Sequence, residues 1–489
     1  MKSSEEAAEL SRKETLGKSS KWYHIDFETI PSKVAYFMFG VKDAMYSSYV
    51  ILFLVDVGLS TSQAGLVSGL SLIGSMLGAV FWGMLTDWSR KRRLVLLVVV
   101  IGSSSCMTLL PFVPQAIKTV GENCSSYEVN NQTNSSILIE SEMQYCRSTS
   151  EWLFVTMLCI YVVISFFDGF LSVHVDANVM IQVSKSKGKV DAGWQRAWFC
   201  VGYGVAAFSF GAMLKLIPSD ARISRYSIQH FIYACSALGL MLNSHFLFKR
   251  TETEAELEVK KVKNKETNIG SLLLKTIFKF HVFFFMATLF YLAMSVSLSI
   301  NYISVLIKEK NAPDILFGLL MVVSSVSTFI MYSVSTRVIE FFGGTFQIML
   351  VSAVTNIIKF AIFGFAQSPY VMMVGQLLHP FTFSLSIVAA VHHTKVISPK
   401  EITNSMFGII NSIVYGGGAM MAYIIGGTIY QMYGGQNMYK GAMFLSVFWA
   451  ILLIFFIVFN RKSVSKKDIG ASEGLLNEVS VKSKDDQLS

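Results

Sequence analysis

Charged side chains occur inside long apolar stretches of this sequence, where a charge is costly unless it has a partner or a function. Lys42 and Asp43 are adjacent in one such stretch, and Asp168 lies in another. A carboxylate shielded from bulk water can bind and release protons at physiological pH, and a nearby amine can face it or face a shared cavity. These residue types predict a site for a polar solute, for protons, or for both.

Further polar residues extend this set of candidates. Asp176 lies near the end of the stretch that holds Asp168, and Arg196 opens the next stretch, so the short connection lets the two form a structural ion pair. Histidine relays protons because imidazole titrates near neutrality, although a histidine satisfied within the core is the alternative. The remaining candidates for the solute or proton pathway are His174, Asn301 and His379.

The stretches that hold these residues are each about 20 residues long, which is the length a helix needs to cross the hydrocarbon layer. The chain is 53% hydrophobic and only 15% charged, against roughly 25% charged residues in soluble domains. We therefore predict an all-α integral membrane protein with twelve transmembrane helices in two six-helix halves. The predicted spans, numbered 1 to 12, are residues 34-57, 63-85, 94-116, 152-181, 195-217, 228-248, 277-306, 314-337, 346-366, 370-394, 403-429 and 439-460.

Lysine and arginine are concentrated in alternate connections between the spans. With the N-terminus in the cytosol, 31 of the 41 basic residues fall in cytosolic segments and 8 in outer segments. Basic residues near helix ends resist translocation, so the tails 1-33 and 461-489 are both predicted to be cytosolic, in the plasma membrane or an endomembrane of the secretory pathway. The net charge of +9 then reflects topology and contact with the lipid bilayer, and no nucleic-acid partner is needed to explain it.

The segment 117-150 is the long polar connection on the predicted outer side. It contains three glycosylation acceptor triplets, at Asn123, Asn131 and Asn134, and two cysteines, Cys124 and Cys146. We predict that the loop is glycosylated and that a disulfide joins the two cysteines in an oxidising compartment. The four other cysteines are predicted to be buried neutral thiols, and no cysteine or histidine spacing indicates a metal site: Cys106, Cys159, Cys200 and Cys235.

A charged segment, 249-276, separates an N-terminal half, 34-248, from a C-terminal half, 277-460, and is predicted to be a cytosolic linker. Polar residues recur in spans 1, 4, 7 and 10, and small residues recur in spans 2, 5, 8 and 11. The first set is predicted to surround a polar cavity and the second to form the interface at which the halves move. Spans 3, 6, 9 and 12 are predicted to be apolar supports, with Lys359 of span 9 snorkelling toward the membrane surface.

A short motif between spans 2 and 3 resembles the signature loop of the major facilitator superfamily. That resemblance implies that its aspartate sits against the start of helix 11, near Thr403, and helps to hold an outward-facing state. A basic cytosolic loop that merely obeys the topology rule is the alternative interpretation. The residues of this gating motif are Gly83, Asp87, Arg90, Lys91 and Arg92, where Arg90 replaces the usual second glycine.

A broader resemblance covers nearly all of 31-461. The runs that carry it include Pro31 to Phe37, Leu59 to Leu66 and Gln195 to Trp198. They resemble the metazoan group called major facilitator superfamily domain-containing protein 6, which is similar to the lactose permease and nucleoside symporter branch. The resemblance implies the fold and a proton-coupled symporter of a small-molecule solute, and it implies no settled substrate. Lactose permease-like proteins hold substrate with a carboxylate on helix 4 and an arginine on helix 5, so the resemblance implies a solute-binding role for Asp176 and Arg196 as the alternative to a structural ion pair. We expect no cofactor.

Other function classes are weaker. An enzyme is not expected, because the sequence contains no evident nucleophile-base pair, no HExxH and no phosphate-binding loop. A membrane receptor or scaffold of the same fold that has lost transport is the alternative function. Acidic residues outnumber Lys42 in the predicted cavity, which favours a neutral or cationic solute over an anion. A monomer is the default expectation.

Overall fold

The chain folds into a bundle of membrane-length helices. The computed structural model describes residues 29–89, 92–114, 136–185, 192–217, 224–259, 269–382, 384–399 and 402–459, and these residues contain no β-strand. Ten of the described helices are long and apolar enough to cross a membrane, or eleven if a bent pair in span 10 counts as one. The one predicted span outside that set is span 6, which is present as the helix Ile228–Val259. Its polar residues, among them Gln229, His230 and Asn243, lower its apolar character.

The N-terminal half contains the six predicted spans in order. Span 4 is a helix of 50 residues, far longer than a bilayer requires. The observed helices of spans 1 to 6 are Ile30–Ser47 with Val50–Asp56, Thr61–Ser89, Arg92–Leu109, Ser136–Lys185, Ala192–Met213 and Ile228–Val259.

The C-terminal half repeats the six-span arrangement, preceded by a short helix, Ile269–Ile277. Several of its spans are built from two or more helical pieces. Those of spans 7 to 12 are Phe280–Asn301 with Ile303–Glu309, Asp314–Phe342, Thr345–Phe365, Met372–Leu377 with His379–Thr382 and Ser384–Ile397, Thr403–Asn411 with Ser412–Gly418 and Ala419–Tyr433, and Gly435–Phe459.

Helical structure extends beyond two predicted boundaries. Span 4 begins at Ser136, inside the predicted outer loop, and span 6 continues to Val259, inside the predicted linker. The extension of span 6, residues 249–259, contains four glutamates with other good helix formers, so a helix that is already nucleated continues through it. The extension of span 4 is poorer in such residues and continues a long helix whose nucleation cost is already met. The change to polar residues therefore predicts the edge of the membrane and does not predict the end of the helix.

Four of the spans are interrupted, in span 7 between its two helical pieces and in spans 1, 10 and 11 at the following positions. Span 10 bends by 51° at Leu378. Pro380 follows directly and explains the bend, because proline lacks an N–H donor and its ring clashes with the carbonyl four residues earlier. Span 11 contains a π-helical segment, Ser412–Gly418, that includes three consecutive glycines with low helix propensity. Span 1 breaks at Ser48 and Tyr49.

Contacts between the halves run through the predicted small-residue spans. Gly65 of span 2 lies against the backbone of Tyr423 and Gly427 in span 11, and Gly318 of span 8 lies against Ala207 in span 5. A Cβ atom at either glycine would collide with the facing backbone. The prediction that spans 2, 5, 8 and 11 form the interface is therefore confirmed, while spans 9 and 12 pack on each other within the C-terminal half.

Candidate functional site

A buried ion pair joins spans 1 and 4 in the N-terminal half. Lys42 Nζ lies 2.5 Å from Asp168 Oδ1, and the hydroxyl of Tyr233 in span 6 donates to the same oxygen over 2.6 Å. The Lys42 side chain is 1% exposed and that of Asp168 is 14% exposed. The ammonium also lies 5.0 Å from the ring centroid of Phe39, where the π face favours a cation. Lys42 and Asp168 thus face one another, one of the arrangements that the sequence left open.

Asp43 points in a different direction from Lys42, as expected for adjacent helical residues about 100° apart. Its carboxylate is half-buried and has no hydrogen-bond or ion-pair partner among the described residues. It lies within electrostatic range of Tyr203 in span 5 and of Tyr415 and Tyr423 in span 11. Asp43 is therefore an unpaired acidic group that faces tyrosines from both halves of the bundle.

The break in span 1 is held by hydroxyl groups from span 5. The Tyr203 hydroxyl lies 2.6 Å from the oxygen of Ser48 and 3.3 Å from that of Ser47. Tyr49, which follows, donates from its hydroxyl to the Ala207 carbonyl over 2.8 Å. These contacts fix the orientation of the helical turn that carries Lys42 and Asp43.

Asp176 and Arg196 do not form the expected ion pair in the described structure. The hydroxyl of Tyr36 in span 1 donates to Asp176 Oδ1 over 2.8 Å instead. Arg196 interacts with Asp176 at longer range, together with Tyr332 of span 8 and Tyr415 of span 11. A direct ion pair between Asp176 and Arg196, one of the two arrangements that the sequence left open, is therefore not formed in this conformation, and the guanidinium interacts with tyrosines of both halves.

Tyr415 shows that the region between the halves is open. It belongs to the π-helical segment of span 11 and is 45% exposed, yet it lies within electrostatic range of Arg196, Asp176 and Asp43. A side chain can be both exposed and near these three groups only if they border a solvent-accessible space. Sequence reasoning missed Tyr415, Tyr332 and Tyr203, although an aromatic residue beside a glycine run was a usable signal for the first.

Two other sequence candidates have local roles in the described structure. Asn301 is 5% exposed, and its side-chain amide donates to the Ser297 carbonyl over 2.8 Å, one turn back in its own helix. The imidazole of His174 is buried against the ring of Phe170, at 5.4 Å between centroids. Neither residue joins the Lys42–Asp168 pair.

The C-terminal half contains a buried lysine that the sequence analysis placed wrongly. Lys359 is fully buried and does not snorkel. Its Nζ donates to Ser299 Oγ over 3.0 Å and lies 3.1 Å from His379 Nδ1. Asn356 lies three residues before Lys359 and is also fully buried, so the two share a face of span 9 that points into the half. That polar spacing was the signal that could have identified this site.

One end of the bundle is closed by contacts between the halves. We call it the Asp56 end, and the opposite end, where span 2 stops at Ser89, the Ser89 end. Asp56 pairs with Lys308 at 3.2 Å, and Arg225 pairs with Asp314 at 3.0 Å. Each pair joins the N-terminal half to the C-terminal half.

The interface between spans 2 and 11 opens toward the Ser89 end. The Ser62 amide donates to Gln431 Oε1 over 3.2 Å at the Asp56 end. By contrast, a Cβ atom at Gly83 or Gly408, closer to the Ser89 end, would meet none of the described residues within 4 Å. The two spans therefore meet at one end and diverge toward the other.

The described structure leaves several predictions untested. Arg90, Lys91, Asn123, Asn131, Asn134 and Cys124 lie outside the described residues, as do the side chains of Asp87, Arg92, Thr403 and Cys146. Gly83 lies within the helix of span 2.

The four remaining cysteines are free thiols and differ in exposure. Cys200 is buried and Cys106 is half-buried, but Cys159 and Cys235 are exposed on the surface of the protein. This finding corrects the expectation that all four are buried.

Known structures share this architecture. The nucleoside transporter NupG is 13% identical, with a TM-score of 0.59, and the similarity covers 88% of this chain and 98% of that one. The inward-open xylose transporter XylE from E. coli is 14% identical, with a TM-score of 0.57 and coverage of 88% and 95%. An inward-facing bacterial homologue of the iron transporter ferroportin is 11% identical, with a TM-score of 0.57 and coverage of 87% and 100%. At such identities these similarities establish the fold.

The sequence itself matches a family profile over most of its length. The profile of the MFS_1 like family matches residues 30–441, which include the described part of the N-terminal half, most of the described C-terminal half and all residues of the site. Together with the two-half helical bundle and its shared architecture, this match makes the protein a multi-pass membrane transporter. The chain belongs to the MFS_1 like family of the major facilitator superfamily.

Proposed function

We propose that the protein is a secondary active transporter that moves a small polar organic solute by alternating access and couples this movement to protons. The unpaired carboxylate of Asp43 is the observation that carries the proposal. It is half-buried at a solvent-accessible space between the halves, beside tyrosines of spans 5 and 11. A carboxylate with aromatic neighbours suits a solute with a cationic or hydrogen-bond-donating group.

The ion pair between Lys42 and Asp168 supports a link between proton binding and solute binding. Lys42 interacts electrostatically with Asp43 as well as with Asp168. Protonation of Asp168 would remove the counter-ion of Lys42 and leave Asp43 as the nearest carboxylate to the ammonium. The affinity of Asp43 for a solute would then depend on whether Asp168 carries a proton.

The closed Asp56 end supports alternating access as the transport mode. In the predicted topology this end faces away from the cytosol, so the conformation is inward-facing. The glycine contacts of spans 2 and 11 close one end without holding the other, as a rocking motion of two halves requires.

We also propose that the chain belongs to the group called major facilitator superfamily domain-containing protein 6. This part of the proposal is supported by the sequence runs between 31 and 461 that resemble the group.

Uptake of labelled polar solutes into proteoliposomes tests this function. Once a solute is found, Asp168→Asn is expected to preserve exchange of the solute while abolishing its accumulation in a proton gradient, because the amide imitates a permanently protonated carboxylate. Asp43→Asn is expected to lower affinity for the solute by about tenfold or more, the loss of one charge-assisted contact. Glu151→Gln, an exposed carboxylate outside the space, serves as the control.

Normal accumulation by Asp168→Asn would refute the coupling role of this residue and transfer it to Asp43 or Asp176. If the purified wild type moves no solute from a broad panel of neutral and cationic compounds, the alternative function of a receptor or scaffold of the same fold is favoured.

A further inference from the structure

The C-terminal half holds a second ionisable cluster, formed by Lys359 of span 9, His379 of span 10 and Ser299 of span 7. All three residues are at most 5% exposed. The break before Pro380 starts a new helical piece at His379 and brings its Nδ1 to 3.1 Å from Lys359 Nζ. The cluster lies within one half and is built from different spans than the Asp168 site.

The hydrogen bonds of this cluster limit how many protons it can hold. The Ser299 hydroxyl donates to the Val296 carbonyl over 2.8 Å, so its oxygen must accept from Lys359. The contact between Lys359 Nζ and His379 Nδ1 needs one hydrogen and one lone pair. The amine and that imidazole nitrogen therefore cannot both be fully protonated, and the pair carries a net charge of about zero or +1.

Among the described residues, no carboxylate balances a charge on Lys359. The ionisable side chains that face this stretch of span 9 from the described parts of its neighbours are His379 of span 10, Tyr291 of span 7, and Tyr439 and Lys440 of span 12. A buried ammonium without a counter-ion is strongly unfavourable, so the uncharged form of the pair suits the sealed conformation and the charged form suits one that water can reach.

Gln376 gives an independent indication that this interior exchanges with water. It lies three residues before His379, is fully buried, and neither atom of its amide head has a hydrogen-bond partner among the described residues. Buried amides of this kind are normally satisfied by ordered water. A water molecule at Gln376 would place a proton carrier near the break in span 10.

We propose that Lys359 and His379 form a proton-binding site in the C-terminal half, which takes up one proton when water reaches it and releases that proton when the half seals. The site is distinct from Asp168. Although its use in transport rests on the proposed function, its existence does not, because proton binding by the purified chain requires no solute.

Potentiometric titration of the purified full-length protein in detergent tests the site. We expect Lys359→Met to take up about one proton fewer per molecule than the wild type between about pH 9 and pH 6. Lys359→Gln is the second variant, since its amide can hydrogen-bond to Ser299 and His379 but never binds a proton in this range. Lys275→Met, an exposed lysine on the helix Ile269–Ile277, is the matched control and should titrate like the wild type.

Equal proton uptake by the wild type and by the folded Lys359 variants would overturn the proposal, as would an equal loss in Lys275→Met. If Lys359→Met does not fold, Lys359→Gln alone decides the outcome. If the loss of uptake in Lys359→Gln adds to any loss in Asp168→Asn when the two changes are combined, the result supports a separate site, and a combined variant that loses no more than Asp168→Asn alone overturns it. Failure of solute transport leaves this measurement unaffected.

Discussion

Among the described residues, each half of the bundle buries one lysine, but the two halves surround it differently. In the N-terminal half, Lys42 has Asp168 as its counter-ion, and Tyr233 donates to the same carboxylate. In the C-terminal half, Lys359 has only neutral or basic partners, Ser299 and His379. The first cluster is balanced in charge, and the second is balanced only when it is uncharged.

This difference separates two uses of a buried charge. A paired lysine and aspartate lower the cost of each other's charge in a low-dielectric interior, so the deprotonated pair holds spans 1 and 4 together. An amine beside an imidazole has no such counter-ion among the described residues, so its charge can change with its access to water. The comparison predicts that the N-terminal ion pair stabilises the fold more than the C-terminal cluster does, and that proton binding at Asp168 breaks this pair, whereas proton binding in the C-terminal cluster depends on the access of water.

The largest expected effect is that of Lys42→Met on the free energy of unfolding. Removal of Lys42 leaves the Asp168 carboxylate buried without its counter-ion, which should destabilise the protein by about 3–5 kcal/mol. Lys359→Met should cost less, about 1–3 kcal/mol, because only hydrogen-bond partners are lost. Unfolding in mixed micelles, followed by tryptophan fluorescence, measures both values.

The double variant Lys42→Met/Asp168→Leu is the control for this comparison. It removes both charges and should recover most of the stability lost in Lys42→Met. Equal losses in Lys42→Met and Lys359→Met would show that the two clusters are equivalent, and the contrast between the halves would then fail.

A smaller effect is expected from Tyr233→Phe, which removes one hydroxyl that donates to a carboxylate. Hydrogen bonds to charged groups contribute about 1.5–3 kcal/mol, so the loss should lie in that range. Ser299→Ala, the matched change at Lys359, should cost about 1 kcal/mol, because a neutral amine loses a neutral acceptor. The same unfolding measurement applies, and a larger loss for Ser299→Ala than for Tyr233→Phe would argue that Lys359 carries a charge in the sealed conformation.

The smallest effect concerns the contacts between the halves at the Asp56 end. The partly exposed pair of Asp56 and Lys308 should contribute only about 0.2–1 kcal/mol to closure. Leu298 is half-buried in span 7, and its side chain lies against Gly426 of span 11, so a Leu298→Cys variant reports on access to the region between these spans. Asp56→Asn should therefore raise the rate at which a maleimide labels that cysteine by about 1.5- to 5-fold. Lys308→Met should give the same increase, and the double variant no more than either single one. Additive increases would mean that the two residues do not act as a pair.

Much of the fold was predictable because it depends on local sequence properties. The length of each apolar run sets a membrane crossing, so all twelve spans were placed correctly along the chain, although the ends of some helices lie well outside the predicted bounds. The recurrence of glycine in spans 2, 5, 8 and 11 marked the close contacts between the halves, since only small residues allow such an approach. Helix ends were less predictable, because good helix formers carried span 6 to Val259 beyond the apolar run.

The partners of the polar residues were less predictable. The sequence identified Lys42, Asp43 and Asp168 as a group but left open which of them would pair. It placed Asp176 with Arg196, whereas the hydroxyl of Tyr36 in a third span takes the carboxylate. Partner choice depends on how each helix is rotated, and a rotation of about 100° per residue exchanges one neighbour for another.

The sequence alone therefore determined the membrane crossings, the two halves and the interface spans of this protein, because apolar length and residue size act within a single helix. Only the tertiary structure decided that Asp43 is left unpaired between the halves and that Lys359 turns inward to His379. Those outcomes depend on the packing of several helices at once. The break before Pro380 also sets the position of the His379 side chain, which cannot be predicted from the local sequence pattern.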